Sequence, residues 1–196
     1  MEFIIHRVNM LKKLKQIPKE FGCEIDIRTN GSQIILNHDP FKKGDKLSDY
    51  LDEYSSRGTL VLNIKETGIE DLVLKEVKKR EIKNYFLLDV EFPYLYKATV
   101  KGERNIAIRF SEKEPIANLN LFVDKLDWVW IDTITRLPVN SLNVNQLNKF
   151  QSCLVCPSIW GNEESISSVN KKVNDLGLNL KSIITNLNQI SKWLKN

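Results

Sequence analysis

The chain has 196 residues and a mass of 22.8 kDa, enough for one domain with a substantial buried core. Its formal charge of +4 comes from 29 basic and 25 acidic residues, so it lacks the strong basic excess of a dedicated nucleic-acid binder. No stretch approaches the roughly 20 apolar residues of a membrane span. These bounds predict a single domain over residues 1–196, without a transmembrane segment.

The amino-terminal residues lack the basic start and long apolar run of a signal peptide. The chain has three cysteines, an odd number that indicates free thiols. Cys153 and Cys156 are three residues apart in a predicted strand and would face opposite sides, which argues against a redox or zinc pair. We therefore expect a cytoplasmic protein.

Apolar runs and turn residues in the first half of the chain predict strands that alternate with helices. The first strand covers residues 3–5, and Asn9 would cap the helix that follows it. A longer strand begins at Gly22, turns at Asn30-Gly31, a strong hairpin signal, and returns over residues 34–36. The next predicted elements are a helix over 47–54, a strand over 60–65, and a helix with Ile69, Leu72, Val73 and Val77 facing inward.

The second half of the chain repeats this alternation. Strands are predicted over residues 85–90, 105–110, 128–132, 153–156 and 180–185, and helices over 93–99, 116–126, 142–150, 166–176 and 187–194. Eight strands alternating with about eight helices predict an α/β fold with a parallel sheet. The count favours a compact (β/α)8 barrel over an open sheet, and in such barrels the chemistry takes place at the carboxyl ends of the strands.

Polar side chains occupy the second strand and follow the apolar runs. Glu24 and Asp26 point to the same side of their strand, and two neighbouring carboxylates suit a hard cation that prefers oxygen ligands. The only two histidines, His6 and His38, each closely follow an apolar strand run. Histidine exchanges protons near neutral pH, so these residues outline a metal-assisted acid/base site.

This pattern resembles the signature of the glycerophosphodiester phosphodiesterases. The matching residues are His6-Arg7 at the end of the first strand, Glu24-x-Asp26 on the second, and His38-Asp39 after a hairpin. The family consists of (β/α)8 barrels related to the phosphatidylinositol-specific phospholipases C. The close match covers residues 3–40, and a weaker one continues to Lys65. It implies that His6 and His38 form the acid/base pair, that Glu24 and Asp26 bind a metal, and that Arg7 and Lys65 hold the substrate phosphate.

The chain departs from the family pattern in two places. The family has an acidic ligand two residues before the lysine, where this chain has Asn63, whose amide oxygen can bind Mg²⁺ or Ca²⁺ without contributing charge. Asp89 and Glu91 are candidates to replace that acid, and a helix cap is the alternative role for Asp89. Residues 8–10 do not reproduce the Pro-Glu-Asn motif with which the family begins its first helix.

The resemblance implies a phosphoric diester hydrolase with a divalent cation, Mg²⁺ or Ca²⁺, as cofactor. Its substrate would be a glycerol- or sugar-type phosphodiester, either a small molecule or a glycan-linked one. The two histidines would act by acid–base catalysis, directly or through a cyclic phosphate. The alternative is a degenerate, non-catalytic barrel that binds a phosphorylated ligand or a partner protein. A nucleic-acid partner is not expected, since no binding motif supports one.

Overall fold

The computed structural model describes residues 1–54 and 57–194, and its elements follow the alternation that the sequence predicts. The strands are Glu2–Ile5 (β1), Gly22–Asn30 (β2), Gln33–Leu36 (β3), Leu60–Ile64 (β4), Tyr85–Leu88 (β5), Ala107–Phe110 (β6), Trp128–Ile131 (β7), Gln151–Val155 (β8) and Leu180–Thr185 (β9). The α-helices are Leu11–Leu14 (α1), Leu47–Glu53 (α2), Glu70–Lys79 (α3), Phe92–Val100 (α4), Ala117–Asn120 (α5), Val144–Leu147 (α6), Ile166–Asp175 (α7) and Ile190–Trp193 (α8).

The chain divides into two compact units, one of which is Ile4–Lys97. The strand order in this unit is β5-β4-β2-β1, and the adjacent strands pair in parallel. β3 pairs antiparallel with β2 after the predicted turn, in which Gly31 has a φ of 61°. Glu24 lies opposite Val61 and Asp26 lies opposite Asn63 in the β2–β4 ladder. This register brings the polar residues of the two strands to the same level.

The other unit consists of Met1–Phe3 and Ala98–Asn196. Its strands β9, β8, β7 and β6 are adjacent in that order and pair in parallel. Cys153 and Cys156 are buried free thiols, as is Cys23 in the first unit, so the prediction of free cysteines is confirmed. An ion pair joins Arg109 Nη1 on β6 to Asp132 Oδ2, just after β7, at 2.5 Å.

The predicted α/β fold class with the compact (β/α)8 arrangement is confirmed, because eight parallel strands alternate with helices along the part of the chain that the structure describes. The single domain over residues 1–196 and the cytoplasmic location stay predictions. Over the described ranges, no helix combines the length and apolar character that crossing a bilayer requires.

The structure corrects several predicted helices. Asn9 does not cap α1, which follows Met10 and has no side-chain cap. The predicted helices over 116–126, 142–150 and 187–194 shrink to four residues each, since tight i→i−3 bonds such as Phe122 N–H to Leu119 O interrupt the α pattern. Leu72, predicted to face inward, is 54 % exposed.

We expect Leu62→Ala to lower the free energy of unfolding by about 2–5 kcal/mol, because Leu62 is fully buried in the middle of β4 and its truncation leaves a cavity. Urea denaturation followed by circular dichroism measures the change. Leu142→Ala is the matched control, since Leu142 is 94 % exposed and its loss should cost less than about 0.5 kcal/mol. Equal effects of the two substitutions would contradict the assignment of β4 to the core.

Candidate active site

Two buried carboxylates on one face of β2 form the centre of the candidate site. Glu24 is 1 % exposed and Asp26 is fully buried. Burial, followed by the neighbouring charge of Asp26, raises the pKa of Glu24 to about 7. Two acids in this position are stable only if the fold brings donors or cations to their oxygens.

Both carboxylate oxygens of Glu24 accept a hydrogen bond. The backbone N–H of Arg7 donates to Oε2 at 2.7 Å, and Asn63 Nδ2 donates to Oε1 at 2.9 Å. Arg7 reaches this position with a φ of 51°, in the left-handed region that non-glycine residues seldom adopt. Lys13 Nζ supports the turn by donating to the carbonyl oxygens of His6 (3.2 Å) and Arg7 (2.7 Å).

Asn9 holds Asp26 and is a site residue that the sequence analysis missed. Its Nδ2 donates to Asp26 Oδ2 at 2.7 Å, and its Oδ1 accepts the backbone N–H of Asp26 at 2.8 Å. The available signal was its place in the loop after β1, beside His6 and Arg7. Instead, the preference of asparagine for helix caps suggested that Asn9 caps α1. In the structure, no side chain caps that helix.

Two cations lie beside Asp26. Lys65 Nζ is 3.6 Å from Asp26 Oδ1 and 3.1 Å from Asp89 Oδ2, and its side chain is only 18 % exposed. Arg7 Nε is 3.9 Å from Asp26 Oδ2, and the Arg7 side chain is 49 % exposed. Arg7 therefore combines proximity to the acids with an accessible guanidinium group.

His6, the last residue before Arg7, is partly buried at the end of β1. Burial lowers its pKa to about 4, and the neighbouring charge of Arg7 acts in the same direction. The charge of Asp26 opposes this shift, and the charge of Lys65 adds to it. His6 is therefore neutral at pH 7.

His38 lies in the loop after β3. Its Nδ1 is 2.9 Å from Asp39 Oδ1, and this hydrogen bond lowers the pKa of Asp39. An ionised Asp39 can only accept, so Nδ1 carries the proton and Nε2 is the ring nitrogen that remains for proton exchange.

Arg28 ties the His38 loop to the end of β4. Its Nε donates to the carbonyl oxygen of His38 at 3.0 Å, and its Nη1 donates to the carbonyl oxygen of Lys65 at 2.8 Å. The guanidinium thus acts on the backbone of two site residues. Arg28 shares its strand face with Asp26 and Glu24, two and four residues away on β2.

Two buried oxygens test whether the site suits a divalent cation. Asp26 Oδ1 and Asn63 Oδ1 accept no hydrogen bond from any residue that the structure describes. They lie beside the bonded carboxylate of Glu24, and carboxylate and amide oxygens are the donors that Mg²⁺ and Ca²⁺ prefer. The residues present therefore fit a hard cation.

The third acid proposed to complete such a centre is not found there. Across residues 1–54 and 57–194, no group of three His, Cys, Asp or Glu side chains is arranged to hold a metal. Asp89 instead pairs with Lys65, and Glu91 is exposed at the entry to α4. A cation in this site would therefore depend on Glu24, Asp26 and the neutral Asn63.

Comparisons with known proteins give structural but no sequence matches. A scan against protein-family models and a search of curated proteins found nothing. A putative glycerophosphoryl diester phosphodiesterase from Agrobacterium tumefaciens matches with a TM-score of 0.70 and 11 % identity, covering 100 % of this chain and 98 % of that one. A glycerophosphoryl diester phosphodiesterase from Parabacteroides distasonis matches with a TM-score of 0.67 and 11 % identity over 98 % and 85 % of the two chains.

A third solved structure is a phosphodiesterase from Oleispira antarctica in complex with the product sn-glycerol-3-phosphate. It matches with a TM-score of 0.69 and 15 % identity, covering 100 % of this chain and 97 % of that one. At these identities the comparison concerns the fold. The chain has the fold of the glycerophosphodiester phosphodiesterases, the family whose motif its strand ends resemble.

Proposed function

We propose that the chain is a phosphoric diester hydrolase. The observation that carries the proposal is that two buried acids on β2 lie close to a neutral histidine and two cations at the ends of β1 and β4. The fold shared with known phosphodiesterases supports it. The sn-glycerol-3-phosphate bound by the Oleispira antarctica protein supports a glycerol-phosphate-type diester as the first substrate class to test.

Arg7 and Lys65 bind the phosphate. Arg7 offers an accessible planar fork that can donate two parallel hydrogen bonds to phosphate oxygens. Lys65 contributes a point charge from a more enclosed position and is oriented by Asp26 and Asp89. Both groups stabilise negative charge that grows on the phosphate oxygens in the transition state.

The two histidines transfer protons. Neutral His6 accepts a proton from the attacking hydroxyl, which belongs either to water or to a neighbouring group of the substrate. His38 acts in its imidazolium form and delivers the Nε2 proton to the leaving alkoxide, while Nδ1–H stays bonded to Asp39. The bond from phosphorus to the leaving oxygen breaks as the bond to the attacking oxygen forms. A water nucleophile gives a phosphomonoester, and a substrate hydroxyl gives a cyclic phosphate.

A divalent cation is part of the proposal. Glu24, Asp26 and Asn63 would hold Mg²⁺ or Ca²⁺, which supplies electrostatic stabilisation of phosphate charge. Asn9 holds Asp26 by one hydrogen bond to its carboxylate and one from its backbone N–H, and the Arg7 N–H donates to the carboxylate of Glu24. These contacts orient the acidic ligands in advance, which limits the reorganisation that ion binding requires.

We expect hydrolysis of glycerophosphocholine and of bis-p-nitrophenyl phosphate that stops with EDTA and returns with Mg²⁺ or Ca²⁺. Product analysis by phosphorus NMR separates a phosphomonoester from a cyclic phosphate. Turnover that is indifferent to EDTA would contradict the metal assignment and leave the cationic side chains as the phosphate site. Tight phosphodiester binding without turnover would instead favour the non-catalytic barrel.

We expect His6→Ala and His38→Ala each to reduce kcat by about 10²- to 10⁴-fold, the usual contribution of a positioned proton-transfer group. Circular dichroism and the melting temperature check that each variant stays folded. Lys19→Ala, at an exposed lysine in the loop before β2, is the control and should keep the full rate. A near-normal kcat for either histidine variant excludes that residue from proton transfer.

We expect Asn63→Asp to tighten cation binding, because a carboxylate is a stronger ligand for a hard cation than an amide. The same change removes the Nδ2 donor to Glu24 and places a third negative charge beside two buried acids, so the melting temperature in EDTA should fall. Calorimetry with Mg²⁺ and Ca²⁺ and melting curves in EDTA measure both effects. Asn63→Leu, which removes both the amide oxygen and the donor, should weaken cation binding.

Unchanged cation affinity for Asn63→Asp and Asn63→Leu would contradict a ligand role for position 63. Unchanged apo stability of Asn63→Asp would contradict the contact with Glu24.

A further inference from the structure

The loop between β3 and α2 displays an aromatic side chain to solvent. We define the His38 loop as residues 37–45. Phe41 lies at its tip with a relative exposure of 104 %, and its φ of 60° is in the left-handed region. A single exposed apolar residue is ordinary, but a fully exposed phenylalanine in a conformation that bulky residues avoid indicates a functional constraint.

Several contacts hold the His38 loop in this shape. The Asn37 side chain bridges it, since Nδ2 donates to the Lys43 carbonyl and Oδ1 accepts the Asp39 N–H, both at 2.9 Å. Gly44 packs so closely on β3 that an added Cβ would lie 2.1 Å from the carbonyl oxygen of Leu36. Phe41 is therefore exposed on a loop whose backbone shape is fixed by contacts within the loop and with β3.

A second exposed apolar residue lies on a segment bonded to this loop. Met10, just before α1, is 58 % exposed. The next residue, Leu11, donates its N–H to Asp45 Oδ2 at 2.6 Å, which joins the start of α1 to the end of the His38 loop. Phe41 and Met10 thus belong to two connected segments of the same unit.

Exposed lysines flank these apolar side chains in the sequence. Lys12, Lys42, Lys43 and Lys46 are all exposed. Asp39 and Asp45 oppose part of this charge, so the four lysines and two acids together leave a formal charge of +2. Exposed apolar tips with flanking lysines are the composition that binds at an anionic lipid interface, where the ring enters the headgroup region and the cations meet lipid phosphates.

We propose that Phe41, Met10 and the flanking lysines dock the protein on an anionic phospholipid surface. Charge complementarity selects this occupant, because the net positive charge of these segments would repel a second copy of the same patch and favour a negatively charged surface. His38 precedes Phe41 by only three residues, so docking brings that histidine near the headgroup layer. Docking does not depend on the chemistry proposed for the site, and a binding assay tests it separately.

Cosedimentation with large unilamellar vesicles tests the proposal. The full chain should bind vesicles of equal parts phosphatidylglycerol and phosphatidylcholine, bind pure phosphatidylcholine weakly, and be released by high salt. Phe41→Ser should reduce the partition coefficient about tenfold or more, the equivalent of losing one buried phenylalanine. The double variant Lys42→Gln/Lys43→Gln should reduce it about thirtyfold, from the usual contribution of two lysines near an anionic surface.

Leu142→Ser is the matched control, since Leu142 is similarly exposed and should not affect vesicle binding. Hydrolysis of a water-soluble phosphodiester by Phe41→Ser should equal that of the unchanged chain, which shows that the folded site is retained. Failure of the unchanged chain to bind anionic vesicles overturns the proposal. Vesicle binding by Phe41→Ser that equals that of the unchanged chain also overturns the proposal. A concentration-dependent dimer that Phe41→Ser abolishes overturns it as well, because such a dimer assigns the surface to a second copy of the chain.

Discussion

The site depends on the burial of two carboxyl groups two residues apart on β2. Glu24 and Asp26 have almost no contact with solvent, so the surrounding residues must replace the hydration that they lose. Three local features follow from that need: the left-handed backbone of Arg7, the paired hydrogen bonds of Asn9, and the amide at position 63. Asn63 is informative because an amide can donate to Glu24 and a carboxylate cannot. The departure from the family pattern lowers the negative charge of the site and adds a donor to it.

The buried acids also determine the positions of the two cationic side chains, Lys65 and Arg7. Lys65 lies between Asp26 and Asp89, which limits its freedom and explains why Asp89 serves as a counter-ion and does not join the other two acids. Arg7 has a longer contact with Asp26 and keeps half of its side chain accessible. One cation is therefore held in place by acids, and the other remains available to a ligand. A phosphate entering this site would find charge that is already oriented, which reduces the reorganisation needed during reaction.

Sequence patterns predicted the parts of the site that depend on local geometry. Strand alternation fixes Glu24 and Asp26 on one face regardless of what the strand packs against. The pairing of Asp26 with Asn63 depends on the β2–β4 register, which is a property of two distant segments. The capping preference of asparagine suggested that Asn9 caps the first helix. In the structure, its side chain instead donates to the buried carboxylate of Asp26. The short helices were overestimated because apolar spacing does not reveal where tight turns interrupt a helix.

The two histidines are held in place by different parts of the structure: His6 by the sheet and His38 by a loop. His6 follows β1 directly, and Lys13 holds its carbonyl oxygen, so its position derives from the sheet. His38 lies in a loop, and Arg28 connects its backbone to that of Lys65. A displacement of the His38 loop therefore acts on Arg28, and through Arg28 on the backbone of Lys65. Because Phe41 lies at the tip of that loop, any surface that contacts Phe41 acts on His38, the less firmly anchored of the two histidines.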